Sequence, residues 1–373
     1  MNVPKMRFRD FNNEYISKKL SDISELTSSK RIYLSDYVND GIPFYRGKEI
    51  TELKANKDVS DLLYITKEKY NEIKTKYGVP EKNDILITGV GTLGNIYRVT
   101  NENPFYFKDG NLIWLKNIKE NSKYIEYNLE KNKRKILDSA IGSTQKALTI
   151  VGLSKLEFSF PSLNEQTKVS NFLSLLDKKI ELQSKKIEDL KLFKKGLISK
   201  LLNGYDYENM KIKDVLDFEQ PTKYIVDSDE YINDDKAIPV LTANKAFILG
   251  YCNENNYYDK GDSIIFDDFT MDMKYTNFNY KVKSSAIKIL TAKENHDLKF
   301  LYELLLSLNL TSEEHKRHYI STVQEMNVKI PSIEIQKNIS SKLNLIDNKI
   351  VLEEEFFNSL IKLKKGLMQN MFV

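Results

Sequence analysis

The chain has 373 residues, of which 41% are hydrophobic and 29% charged, and this balance indicates a water-soluble globular protein with room for two or three domains. No stretch has the roughly 18 apolar residues of a membrane span, and the opening residues lack the apolar segment of a secretion signal, so we expect a cytoplasmic protein. The net charge of +4 permits nucleic-acid binding, and the single cysteine, Cys252, excludes an internal disulfide.

Residues 1–160 have the pattern of one small mixed α/β domain. A short amphipathic element, Lys19–Ile23, comes first, and a strand then begins at Ile42 and Pro43 and continues toward Lys48. After a turn, a second strand follows at Asp84–Thr88, and a helical stretch is predicted further on. This alternation predicts a domain that combines strands and helices.

A glycine-rich stretch follows the second strand. Residues 89–94 spell G-x-G-x-x-G, and Asn103–Tyr106 is close to the Asn-Pro-Pro-Tyr motif of adenine methyltransferases. A nucleotide site of this kind needs a helix directly after the glycines. The next residues, Asn95–Val99, are β-branched and aromatic and predict a strand instead, and Phe105 replaces the second proline. We therefore predict a hairpin whose glycine loop could approach a DNA groove closely.

One long segment occurs twice. Pro161–Leu202 and Pro331–Phe372 match at 15 of 42 positions without a gap. The matched residues include the pairs Pro161 and Pro331, Gln166 and Gln336, Asp177 and Asp347, and the Lys-Lys-Gly-Leu runs at 194–197 and 364–367. A gapless repeat of this length indicates two copies of one structural element.

Each copy has the pattern of a single long helix. Apolar residues recur with alternating gaps of four and three, as in a coiled coil. A helix of about 38 residues is roughly 57 Å long, which suits a spacer. Polar residues interrupt the apolar seam at the same two places in both copies, Gln183 and Lys194 in the first, and Glu353 and Lys364 in the second.

Residues 204–330 repeat the landmarks of the first domain, so the chain is a tandem duplication. A strand entry at Ile238 and Pro239 corresponds to that at Ile42, and a Ser-Thr pair precedes each long helix, at 143–144 and 321–322. Fewer residues separate the second pair from its helix. From this difference we expect a turn or strand of the first domain to be missing in the second.

Basic clusters occur in both domains. His315-Lys316-Arg317-His318 contains two histidines but no cysteine, which is a weak metal signal. As a basic patch it suits a phosphate or a guanine edge, and a solvated helix end is an equal alternative. Both interpretations are also open for Lys131–Lys135.

The Val3–Phe8 segment, the Ile-Pro and Asn-Asp-Ile-Leu strand entries and above all the repeated Pro-Ser…Gln…Asp-x-Lys-Ile…Lys-Lys-Gly-Leu helix carry a resemblance. Over its whole length the chain resembles the specificity subunits of type I restriction–modification systems. This implies an α+β fold with two target recognition domains, 1–160 and 204–330. Two spacer helices, 161–203 and 331–373, would join them as an antiparallel coiled coil in a tandem pseudo-two-fold repeat.

The same resemblance implies a non-catalytic subunit that recognises a bipartite site in double-stranded DNA. It would direct two methyltransferase subunits to that site and, through them, the restriction subunits. S-adenosylmethionine, ATP and magnesium are then expected on the partner subunits, and no cofactor, metal or catalytic residue is expected in this chain.

The candidate DNA-contacting residues are polar or basic side chains near predicted turns and strand ends. They are Arg46, Lys48, Thr88, Thr92, Asn95 and Lys146 in the first domain, and Thr242, Asn244, Lys245, Lys274, Lys316 and Arg317 in the second. Two alternatives stay open. A DNA adenine methyltransferase in its own right would bind S-adenosylmethionine without a partner, and a coiled-coil protein adaptor would show no salt-dependent DNA binding.

The polar seam residues predict a register for the two helices. An unpaired charge inside a seam is costly, so each seam lysine needs an acceptor. In an antiparallel, pseudo-symmetric pair, one register places Lys194 opposite Glu353 and Gln183 opposite Lys364. We expect these contacts to fix the register at some cost in stability.

Overall fold

The computed structural model describes residues 3–55, 57–202, 207–228, 230–243, 246–311 and 317–373. The chain divides into two compact units, residues 1–182 with 357–373, and residues 183–356. Among the described helices, none is long and apolar enough to cross a membrane.

The described part of the first unit contains ten strands and six short α-helices, together with parts of two long helices. The strands are β1 Ile16–Lys19, β2 Glu25–Thr27, β3 Tyr37–Val38, β4 Ile42–Tyr45, β5 Leu63–Ile65, β6 Ile85–Thr88, β7 Ile96–Arg98, β8 Tyr106–Phe107, β9 Leu112–Lys116 and β10 Glu157–Phe160. The helices are α1 Leu20–Ile23, α2 Gly47–Lys54, α3 Lys67–Tyr77, α4 Ser122–Lys131, α5 Lys133–Asp138, α6 Ile150–Ser154 and the first long helix, α7 Leu163–Leu202.

The second unit has its own strands and short helices. The strands are β11 Glu208–Lys211, β12 Leu216–Glu219, β13 Ile238–Leu241, β14 Ile248–Cys252, β15 Ser263–Asp267, β16 Met273–Thr276, β17 Lys281–Val282, β18 Ile287–Ala292 and β19 Asn327–Ile330. The helices are α8 Ile212–Val215, α9 Leu298–Ser307 and the second long helix, α10 Ile333–Met371. Both long helices are therefore present as predicted.

The two units repeat one topology. The main sheet has the order β2-β9-β6-β7 in the first unit and β12-β18-β15-β16 in the second. A two-stranded ribbon, β1 with β10 or β11 with β19, leads to each long helix. A further sheet pairs β4 with β8, and β13 with β17, in parallel. The predicted α+β class and tandem duplication are thus confirmed.

One pair of sequence landmarks was matched wrongly. The backbone N–H of Leu148 donates to the first residue of the β6–β7 turn, and that of His318 donates to the first residue of the β15–β16 turn. Leu148 and His318 are 170 positions apart, the same offset as the helix repeat. The Ser-Thr pairs at 143–144 and 321–322 are therefore not equivalent. The strand that leads to the long helix is not the missing element, because β19 pairs with β11 as β10 pairs with β1.

The central strands of the main sheets are almost continuously apolar, as strands buried on both faces require. In the first unit, Ile85 and Ile87 pack with α4 and the long-helix residues, while Leu86 and Trp114 pack on the opposite face. In the second unit, one face likewise packs with α9, α7 and α10, and the other with a tyrosine-rich cluster. Each main sheet is thereby anchored to its portion of the long helices.

The start of each long helix is tied to its unit by a buried glutamine. Gln166 accepts a hydrogen bond from the backbone N–H of Asn121 (3.0 Å) and donates to the carbonyl of Pro161 (2.9 Å). The second unit repeats these contacts with Gln336, Asp297 and Pro331. The matched glutamines thus satisfy backbone groups that would otherwise be buried without partners.

Candidate nucleic-acid interface

The turn between β6 and β7, residues 89–94, is held by the two residues that flank it. Thr88 Oγ1 accepts a hydrogen bond from the backbone N–H of Asn95 (2.8 Å) and donates to the carbonyl of Thr92. Thr88 is 0% exposed and Asn95 8%. Neither is placed for the direct DNA contact that the sequence suggested, and both hold the turn instead. Thr92 is exposed on the turn and stays a candidate contact.

Helix α2 lies beside this turn. Its first residue, Gly47, approaches Thr88 and Val90, and Thr51 accepts a hydrogen bond from the Asn95 side chain (2.9 Å). The preceding strand β4 ends at Tyr45, so it is shorter than the sequence predicted. The start of a helix adjoining a strand-to-strand turn is a suitable place for polar contacts with a ligand.

Arg46 directly precedes α2 and Lys48 lies in its first turn, and both are already ion-paired. Arg46 binds the carboxylate of Glu49, a fully buried residue (Nε–Oε1 3.0 Å). Burial by itself raises the pKa of Glu49. The hydrogen bonds from Arg46 and from backbone amides together lower it by more, so the pKa lies below its ordinary value. Lys48 is half exposed and pairs with Asp61 at 3.0 Å. Lys48 is therefore the more accessible of these two candidates.

Two further basic elements adjoin the same turn. Lys133, on α5, donates to the side-chain carbonyl of Asn95 (3.2 Å), and the neighbouring Arg134 is 95% exposed. Lys146 is exposed in the loop that the Ile141–Ala147 bridge closes. We call the turn 89–94, the start of α2, α5 and this loop the first recognition face.

The β15–β16 turn of the second unit, residues 268–271, occupies the equivalent place. Asp267, the last residue of β15, accepts hydrogen bonds from the backbone N–H groups of Phe269 (2.9 Å) and Thr270 (3.0 Å). It holds this turn as Thr88 holds the first. Sequence reasoning missed Asp267 and its neighbour Asp268, although three aspartates within six residues are a recognisable signal for a side-chain-stabilised turn.

The remaining second-unit candidates are placed unequally. Arg317 is exposed, and its guanidinium lies over the ring of Phe269 at 5.8 Å. Thr242 is 9% exposed, and Lys274 is half-buried on β16. Asn244, Lys245 and Lys316 lie outside the described residues. We call the turn 268–271 together with Arg317 the second recognition face.

The glycine motif forms a hairpin, as predicted. Strands β6 and β7 pair antiparallel on either side of it, from Ile85 with Arg98 to Ile87 with Ile96. Tyr106, the last residue of the Asn-Pro-Phe-Tyr stretch, lies in β8 and is 1% exposed. A buried core tyrosine and a strand after the glycines do not provide the helix N-terminus on which a nucleotide phosphate would lie.

The polar residues that interrupt the apolar seam form clusters of ion pairs and hydrogen bonds. Their partners are not the ones that the sequence predicts. In the second unit α7 and α10 run antiparallel, with Gln183 beside Glu353 (2.7 Å) and Lys194 beside Asp347 (2.6 Å). The predicted pairing of Lys194 with Glu353 is therefore wrong by six residues. Lys194 also binds Glu303 of α9 (2.8 Å), a third element that a two-helix argument does not contain.

The first unit contains the corresponding cluster. Lys364 of α10 pairs with Asp177 of α7 at 2.5 Å, so the predicted partner Gln183 is wrong here too. Asp177 also accepts a hydrogen bond from the hydroxyl of Tyr127 on α4. Each seam lysine thus binds the aspartate that the repeat matched, and in both units a helix of the sheet domain contributes to the cluster.

A family model described as the type I restriction modification DNA specificity domain matches this chain twice, over residues 12–192 and 205–361. The EcoR124I/EcoR124II type I restriction enzyme specificity subunit of Escherichia coli is 40% identical over 141 residues, or 36% of this chain and 35% of that protein. A putative specificity subunit of Haemophilus influenzae is 33% identical over 163 residues, or 43% and 39%. The chain thus spans little more than a third of these two relatives.

Solved structures extend the similarity to the whole chain. The S subunit of a type I restriction-modification system from M. genitalium covers 100% of this chain and 99% of its own, with a TM-score of 0.66 and 17% sequence identity. At this identity the likeness concerns the fold. It agrees with the two-unit architecture and its pair of long helices.

Proposed function

This chain belongs to the type I restriction–modification DNA specificity family, and on that premise we propose that it recognises a bipartite target in double-stranded DNA, one half with each repeat. The observation that carries the proposal is the pair of recognition faces. Both are built at the same place of one repeated topology, and their exposed residues differ. Lysine and arginine would bind phosphates, and a few polar groups would read base edges.

The first experiment exchanges one domain. Replacing residues 1–160 by the equivalent domain of another specificity subunit should change one half of the target and leave the other half and the spacing unchanged. The measurement is methylome sequencing of cells that express the hybrid with its partner subunits. A change in both halves would contradict independent recognition by the two repeats.

We further propose two methyltransferase subunits as partners, one for each repeat, with restriction subunits bound through them. The support is a pair of exposed leucines one heptad apart on the long helices. In the first unit Leu175 is 70% and Leu182 58% exposed, and in the second unit Leu345 is 70% and Leu352 65% exposed. Equivalent apolar positions left open in both units suit two copies of one partner.

One sequence difference between the repeats does not alter this surface. Glu165, where the second repeat has Ile335, is 1% exposed and binds Arg7 through two hydrogen bonds of 2.7 and 2.8 Å. Ile335 packs against the apolar core of its own unit. Since each side chain is accommodated within its unit, the difference does not weigh against equal partner binding.

The chain itself is proposed to be non-catalytic, with S-adenosylmethionine, ATP and magnesium bound by the partner subunits. The hairpin geometry of the glycine motif supports this assignment over a methyltransferase in its own right. Calorimetric titration of the purified chain with S-adenosylmethionine tests it. Heat of binding without any partner would contradict the proposal.

A further inference from the structure

A buried ion pair adjoins the second recognition face. Lys288 of β18 and Asp268, the first residue of the β15–β16 turn, lie 3.2 Å apart, and both side chains are 1% exposed. Lys288 also donates to the side chain of Gln220 at 3.0 Å. Burying such a pair removes two charges from water, and apolar residues of similar size often serve a fold as well.

The pair holds the segment that follows Arg317. One carboxylate oxygen of Asp268 accepts hydrogen bonds from the backbone N–H groups of His318 (3.0 Å) and Tyr319 (2.7 Å). The Tyr319 ring is buried against Phe266, with centroids 5.4 Å apart. The backbone directly after Arg317 is therefore fixed to the start of the turn.

The first unit shows that this topology does not require the pair. Gly89 is the first residue of its turn, as Asp268 is in the second unit, and each donates its N–H to the segment before the next paired strand. Ile113 lies opposite Ile87 of β6, and Lys288 lies opposite Phe266 of β15. Ile87 and Phe266 are each the next-to-last residue of their strand, so Ile113 has in the first unit the position that Lys288 has in the second. The ion pair is thus a feature of the second recognition face alone.

Arg317 is the side chain that this arrangement presents. It is the only arginine after Arg134 in the sequence. It is exposed, stacks on Phe269, and forms no ion pair with any carboxylate in the described part of the chain. An arginine with a free guanidinium edge can bind a phosphate or the O6 and N7 atoms of guanine.

We propose that Asp268 and Lys288 are positioning residues that hold Arg317 for contact with the second half of the DNA target, an inference that rests on the proposed function. The carboxylate supplies the acceptor for the two backbone N–H groups. The lysine lies beside the other oxygen of that buried carboxylate and compensates its charge. A displaced segment would carry Arg317 away from its contact, since a misplacement of about 1 Å is enough to weaken a directional interaction.

The same unit offers a matched control. Lys281 is 3% exposed and pairs with Glu254 at 2.8 Å, and Glu254 accepts hydrogen bonds from the backbone N–H groups of Asp227 and Ser228. This pair has the same chemistry but holds a segment remote in sequence from Arg317. It separates a general loss of stability from a loss of positioning.

The test uses the full chain bound to its methyltransferase subunits and a pool of random-sequence DNA duplexes. The selected duplexes are sequenced, and the affinity for one of them is measured. Asp268→Gly with Lys288→Ile copies the first unit and removes the acceptor. Asp268→Asn with Lys288→Ile removes the charges but keeps an acceptor oxygen. Arg317→Ala removes the contact, and Glu254→Ala with Lys281→Met is the control.

The Gly/Ile variant should reproduce the pattern of Arg317→Ala, with about tenfold lost either at one position of the second half or uniformly if the contact is to phosphate. The Asn/Ile variant and the control should stay within about threefold of the wild type. The inference is overturned if the Gly/Ile variant keeps both the preference and the affinity of the wild type, if the control loses as much, or if Arg317→Ala changes neither preference nor affinity. A wild-type complex that selects no sequence at all would instead overturn the proposed function.

Discussion

Arg46, at the start of α2, forms an ion pair with the buried carboxylate of Glu49. Substitution of Arg46 should therefore change the stability of the fold. Arg46→Ala leaves Glu49 buried without its cationic partner and should lower the free energy of unfolding by about 1–3 kcal/mol. Adding Glu49→Gln should recover most of that loss. Urea denaturation of both variants checks the expectation. Equal stability of Arg46→Ala and the wild type would show that the pair contributes nothing.

The pair of Arg46 and Glu49 also predicts that the stability of the fold depends on pH. The folded-state pKa of Glu49 lies below its ordinary value of 4.5, so its charge stabilises the fold above that pH. The contribution is lost as the pH falls through the folded-state pKa. The stability difference between the wild type and Glu49→Gln should therefore shrink below about pH 4.5. Urea denaturation across this range measures it, and a difference that grows with acid would contradict the assignment.

At the scale of single residues, the sequence located the turns better than the contacts. Residues 89–94 were correctly placed in a hairpin, because β-branched residues follow the glycines. The sequence predicts Thr88 and Asn95 as contacts, yet both are buried, because a residue beside a glycine turn can equally well hydrogen-bond within the turn. Asp268 and Lys288 went unnoticed because they lie 20 positions apart and meet only through the pairing of β15 with β18.

Among the helices, the cluster around Lys194 connects α7, α9 and α10. Burial lowers the pKa of Lys194, but hydrogen bonds to Asp347 and Glu303 outweigh it, so the pKa lies above its ordinary value. Lys194→Met should cost about 3 kcal/mol, because Glu303 is 2% exposed and would keep only Lys299, at 3.4 Å. Chemical denaturation of the full chain measures this loss.

The first unit provides the comparison for that substitution. Lys364 and Asp177 are 29% and 32% exposed, so water screens their pairing. Lys364→Met should therefore cost about 1 kcal/mol or less. A larger loss for Lys364→Met than for Lys194→Met would mean that burial does not rank the two clusters.

The elements themselves were largely predictable, and their register was not. Heptad spacing and a gapless repeat were enough to place both long helices. The polar seam residues of the two helices, considered alone, predict that Lys194 pairs with Glu353. Glu303 reaches the seam from α9, and its contribution depends on tertiary packing that heptad spacing does not contain. Glu353 instead binds Gln183 and Lys186.

For the whole molecule, the exposed leucines predict how many partners bind. Leu182→Glu and Leu352→Glu should each remove one methyltransferase subunit, because a charge on an apolar contact surface is costly to bury. Light scattering of the co-expressed complexes should give two partners for the wild type, one for each single variant and none for the double. Glu181→Lys, a charge reversal at an exposed position of α7 about a third of a turn around the helix from both Leu175 and Leu182, is the control.

A complex that keeps two partners in both single variants would place the contact elsewhere on the chain. A wild-type complex with one partner would show that only one of the two repeats is competent. Either result would leave DNA recognition by the two faces untouched, since those faces lie on the sheet domains.

The central claim is that one chain reads two separate stretches of DNA, one with each repeat. Sequencing the duplexes that the unaltered complex selects from a random pool tests it most directly. The account predicts two short blocks of specified bases separated by an unspecified gap of constant length, with binding that weakens steeply as salt rises. One continuous block of specified bases, or a gap that varies among selected duplexes, would contradict it.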